Sequence, residues 1–99
     1  MIRITFRTRD RTLTGVHCKG HAGYAESGQD IVCSAVSAVL IGLVNEVKRY
    51  SEALYTMRSG YIDLYVEPTK ATNILMEYAL HTLKDIEAQY PENVKIIVE

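Results

Sequence analysis

The chain has 99 residues, enough for one cored domain spanning 1–99 and too few for two. Its 47% hydrophobic and 23% charged residues exclude disordered, collagen-like and low-complexity classes. A formal net charge of −1 gives no global pull toward nucleic acid or an anionic membrane, although residues 1–20 gather Arg3, Arg7, Arg9, Arg11 and Lys19 against Asp10 alone.

Ile2, Ile4 and Phe6 alternate with Arg3, Thr5 and Arg7, the pattern of a strand and not of a signal peptide. Thr12 to Lys19 reads as a second strand, with Val16 and Cys18 on one face and His17 and Lys19 on the other, joined to the first across Arg9-Asp10-Arg11. From Gly20 to Gln29 the apolar period stops, and Gly20, Gly23 and Gly28 mark a flexible loop. Asp30 to about Tyr50 is the clearest helix, with Asp30 as N-cap and Val32, Val36, Val39, Leu43 and Val47 as one stripe. Its first half is apolar nearly all round, which predicts burial against the sheet on one side and a second helix or subunit on another. Ala53 to Arg58 and Tyr61 to Glu67 form a second hairpin across Ser59-Gly60, ended by Pro68. Thr69 to Gln89 is the second helix, its apolar stripe read as Ala71, Ile74, Leu75, Tyr78, Leu83, Ile86 and Tyr90, and Pro91 stops it. Val94 to Val98 is a last strand. The order β-β-α-β-β-α-β predicts an α+β two-layer sandwich, a mostly antiparallel sheet with both helices on one face.

The longest apolar run, Ala35 to Val44, is about half of the roughly 20 residues that a membrane-spanning helix needs, so no membrane partner is expected. Two cysteines without an export signal point to a reducing cytoplasm.

The chemistry lies in residues 20–37, GHAGYAESGQDIVCSAVS. With Asp30 as the cap, Cys33 falls in the first helical turn, where unpartnered N–H groups and the helix dipole favour a thiolate. His21 stands at the start of the glycine loop, which can fold back to bring its ring to the sulfur. A Cys–His pair of this kind performs acyl transfer: the thiolate attacks a carbonyl, the imidazolium protonates the leaving amine, and spare N–H groups near Cys33 hold the oxyanion. Asp30 either orients His21 or only caps the helix. Ser37, one turn after Cys33, shares its face. By contrast Cys18 reads as a buried structural thiol, and His17 and His81 as surface residues. His17, Cys18, His21 and Cys33 are all zinc-type ligands, yet neighbouring strand residues point to opposite faces, so no metal or other cofactor is expected. Phosphate is disfavoured as well, because the loop lacks GxxxxGK[ST] and carries Glu26 and Asp30.

The stretch Gly20-His21-Ala22-Gly23, then Gly28, Asp30-Ile31-Val32-Cys33, Ala35 and Val36-Ser37, resembles the signature of the bacterial ribosomal-processing cysteine protease Prp family, and the likeness in length and element order extends over the whole chain. The resemblance implies a cytoplasmic cysteine endopeptidase that removes a short N-terminal extension from a large-subunit ribosomal protein precursor. By that similarity Cys33 is the nucleophile and His21 its base, with Asp30 and Ser37 in supporting positions. It also implies a homodimer, cleavage after an aromatic residue, and closure of the glycine loop over the peptide. Tyr24 in that loop is a candidate for the apolar pocket. The competing reading is a non-catalytic ribosome- or RNA-associated module that uses the basic first hairpin. Stacking on single strands calls for aromatics among the basic residues, and Phe6 points away from the arginines of the first strand, so direct nucleic-acid binding is not expected.

Overall fold

The computed structural model describes the backbone of residues 1–20 and 27–99, and side chains over 1–20 and 31–99. The chain runs β1 (Ile2–Arg9), β2 (Thr12–Lys19), α1 (Ser27–Val47), β3 (Ala53–Arg58), β4 (Tyr61–Val66), α2 (Lys70–Gln89) and β5 (Val94–Val98). The strands form one sheet in the order β3-β4-β2-β1-β5. Every pairing is antiparallel except that of β1 with β5, which is parallel. The architecture is therefore the expected α+β sandwich, with one parallel edge.

Period-two alternation builds the core. Ile2, Ile4 and Phe6 of β1, Val16 and Cys18 of β2, Ile62, Leu64 and Val66 of β4, and Val94 of β5 are buried beneath the helices. From α1 come Val32, Val36, Leu40, Leu43, Val44 and Val47. The hairpin joining β1 to β2 turns on Asp10 and Arg11 at φ 52° and 67°, the two positive angles of a type I′ turn. Thr69 caps α2: its Oγ1 accepts from the Thr72 backbone N–H at 3.1 Å while the Thr69 N–H donates to Thr72 Oγ1 at 2.8 Å.

Two expectations are corrected. The helix α1 begins at Ser27, so Asp30 is not its N-cap; three polar residues and a glycine continue into a helix because propensity is a weak constraint beside tertiary packing. On α2 the buried side is Thr72, Met76, Ala79, Leu80 and Leu83, whereas Ile74 and Tyr78 are each 68% exposed. Two apolar stripes overlap on this helix, and the sheet takes the one centred on Met76.

Candidate active site

Cys33 lies on α1, half-buried against the core, and opens on a cleft of about 430 Å³ between that helix and the β3–β4 hairpin. Ser37 lines the same cleft one turn further on, as the i, i+4 spacing requires. The wall is mostly apolar, with Leu40 and Ile41 from α1 and Met57 and Ile62 from the hairpin, and Arg58 and Tyr61 border it at the hairpin end. Met57 and Ile41 keep 39% and 43% of their surface exposed, so the cleft is accessible to a large apolar side chain.

Gly20 forms the rim at the end of β2. Its φ of +111° favours glycine, and a Cβ there would run into the Met1 carbonyl oxygen. Its N–H donates to the Gly60 carbonyl at 3.0 Å, tying the point where the loop leaves the sheet to the β3–β4 turn. The next residue is His21, so the chain segment that carries the histidine starts from the edge of the cleft holding Cys33. His21, Gly23 and Tyr24 themselves lie outside the described residues, and Gly28 and Asp30 are described only as backbone of the first turn of α1. Asp30, Cys33 and Ser37 fall at i, i+3 and i+7 of one helix, which places them along a single face.

The start at Ser27 changes the electrostatics expected of the cysteine. Cys33 sits near the end of the second turn, beyond the first-turn reach of the macrodipole. The N–H groups about it are taken up in the i to i−4 ladder and are not spare donors for an oxyanion. Spare N–H groups would lie at the sulfur only if the loop ran to Gln29, whereas the helix already includes Ser27 to Asp30.

Cys18 is buried, 7% exposed, and borders the cleft beneath Cys33. Burial pushes its thiol from an ordinary 9.0 up to about 11, and negative charge on Cys33 adds to the rise. Cys18 therefore stays neutral at physiological pH, as expected of a structural thiol. His17, on the opposite sheet face, holds the Asp63 carboxylate through Nδ1 at 3.2 Å and packs edge-on against Tyr61. His17 and Cys18 face opposite sides of β2 and do not converge on one ion. Among the described residues no group of three His, Cys, Asp or Glu side chains is placed to hold a metal, and no helix is long and apolar enough to cross a membrane. Sequence reading missed the apolar wall, since Met57 and Ile62 reach Cys33 only through strand order.

The family model for cysteine protease Prp matches residues 1–95. The ribosomal processing cysteine protease Prp of Bacillus subtilis is 33% identical, with 97% of this chain and 96% of the relative covered. That of Staphylococcus aureus is 30% identical over 97% of each. Crystal structures of the S. aureus protease with a covalently linked product peptide and with a substrate peptide superpose with a TM-score of 0.90 each, at 27% and 26% identity, over the whole of both chains. Signature, fold and cleft thus agree with whole-length similarity, and the chain belongs to the Prp family of cysteine proteases.

Proposed function

We propose that the protein removes the short N-terminal extension of a large-subunit ribosomal protein precursor, cutting after an aromatic residue that enters the apolar cleft beside Cys33. The observation that carries this reading is the half-buried Cys33 thiol in a mostly apolar cleft whose rim is Gly20, the residue before His21 in the sequence. The name and the bound peptides of the S. aureus protease support it.

The Cys33 thiolate, its proton held by His21, attacks the scissile carbonyl and forms the C–S bond. The His21 imidazolium gives that proton to the leaving amine as the C–N bond breaks, leaving a thioester. Water, deprotonated by His21, then attacks the thioester, releasing the new C-terminal carboxylate and the free thiolate. With the helix N-terminus too far from Cys33 to activate it, stabilisation of the thiolate falls to His21. Asp30 and Ser37 act as positioning residues on the same helical face. The glycine-bearing segment containing Gly20, Gly23, Tyr24 and Gly28 closes over the peptide and excludes water.

The protein acts as a homodimer in the cytoplasm, where ribosomes are assembled and thiols stay reduced. The dimer reading is supported by apolar surface on the outer side of the helices: Ile74 and Tyr78 of α2 are exposed, and Tyr78 lines a groove of about 400 Å³ between α1 and α2 with Val39, Leu43 and Leu75. The test is mass spectrometry of peptides spanning the extension junction of the host's ribosomal protein. A single cut after the aromatic residue, lost when that residue is changed to alanine, is expected. An unchanged cut in the alanine peptide overturns the assignment of the cleft.

A further inference from the structure

The sheet face opposite the helices carries a row of charge that begins at Arg58 and Tyr61, on the border of the Cys33 cleft, and runs away from it across the sheet. Arg58 of β3 is paired in register with Tyr61 of β4, Tyr61 with Lys19 of β2, Lys19 with Arg3 of β1, and Arg3 with Lys95 of β5. Paired residues share a face, so this is one continuous cross-strand row over all five strands: four cations and one aromatic ring, about 19 Å long at the usual ~4.8 Å strand spacing. All four cations are exposed. Like charges directly opposite each other destabilise a sheet, and an acidic residue at Lys19 or Lys95 would relieve the row.

No acid answers it among the described residues. Arg3, Lys19, Arg58 and Lys95 take part in none of the ion pairs that those residues form. The acid in the neighbouring row, Asp63, is held by His17 at 3.2 Å and by Arg7 at 3.4 Å. The guanidinium of Arg58 instead lies over the Tyr61 ring at 4.2 Å from its centre. That stack presents a flat, cationic, solvent-facing plane, the kind of platform on which an unpaired base sits.

We infer that this face is a docking surface for single-stranded RNA, whose phosphates lie along Lys19, Arg3 and Lys95 while a base stacks on Arg58. A basic polypeptide is repelled by the row. An acidic polypeptide would satisfy its charge but make no use of the Arg58–Tyr61 plane. β1 has no aromatic among its arginines, which counts against RNA in the sequence alone, but the sheet supplies the ring from β4, two strands away. The inference does not depend on peptide cleavage, and RNA-bound protein would be brought to a ribosomal substrate by its surroundings.

The experiment is fluorescence anisotropy of a fluorescein-labelled oligouridylate with the wild-type protein and with Arg3→Ser/Lys95→Ser. Three phosphate contacts give a slope of log affinity against log salt of about −2.1, or roughly 18-fold weaker binding at 200 mM than at 50 mM salt. Loss of two contacts reduces the slope to about −0.7, a roughly 3-fold change. Should the double variant fail to fold, Lys95→Gln at the sheet edge is expected to reduce the slope by about 0.7. Binding that ignores salt, a variant slope equal to that of wild type, or displacement of the RNA by polyglutamate at equal charge concentration would overturn the inference, the last in favour of an acidic protein partner.

Discussion

The buried thiol of Cys18 should make the protein's stability fall steeply in alkali, and the size of the effect follows from its surroundings. Its proton is held to about pH 11 in the folded chain against an ordinary 9.0, chiefly through burial and in part through charge on Cys33. A group that keeps its proton to higher pH when folded contributes stability that is complete below the unfolded value and is lost as pH rises through the folded one. The window is therefore pH 9 to 11, with a loss of about 1 kcal/mol by pH 10 and about 2 kcal/mol by pH 11. The perturbation is Cys18→Ala, which removes the titrating group at the cost of a small cavity that does not vary with pH. Urea unfolding under reducing conditions is measured for both proteins from pH 8 to pH 11. With a urea slope of about 1–3 kcal/mol/M, a change of 2 kcal/mol moves the wild-type midpoint toward that of the variant by roughly 0.7–2 M. Lysines and tyrosines titrate equally in both chains, so the difference isolates Cys18. A gap between the two midpoints that stays constant from pH 8 to pH 11 would refute the reasoning, because it would mean that the thiol is not desolvated.

Arg11 holds φ at 67°, where a Cβ is unfavourable, and Arg11→Gly should stabilise the domain by about 0.5–1 kcal/mol, a rise in Tm of roughly 2–8 °C in a thermal melt. An unchanged or lower Tm would show that the turn is not strained. His21→Ala should slow alkylation of Cys33 by iodoacetamide near pH 6, where an imidazolium would otherwise stabilise the thiolate; identical rates for wild type and variant across pH would leave His21 without a role in activation.

Much of the fold was legible because strands bury alternate residues. Ile2, Ile4 and Phe6, or Ile62, Leu64 and Val66, declare one face without help from tertiary structure, and Asp10-Arg11 and Ser59-Gly60 fall between such runs. Helix phase was less legible. Ile74 and Tyr78 are as apolar as Met76 and Leu83, and only packing decides which set the sheet receives. The start of α1 was missed because Gly28 and its polar neighbours are poor helix formers that a long apolar helix nevertheless extends through.

At the site, Cys33, Ser37 and Gly20 could be named from local spacing, and one cleft holds all three. The thiolate's environment could not, since it depended on a helix boundary three residues away from the expected one. Strand order was hidden as well: the parallel pairing of β5 with β1, the apolar wall at Met57 and the row from Arg58 to Lys95 all arise from contacts between distant segments.

The central claim, that Cys33 is the nucleophile of a peptide-cleaving site, is tested most directly by incubating an extended ribosomal-protein precursor with wild type and with Cys33→Ala and measuring the products by mass. Cys33 is only half-buried, so the variant should melt within a few degrees of wild type while cleavage falls by about 10⁴-fold or more. A folded Cys33→Ala protein that still makes the same cut would contradict the claim.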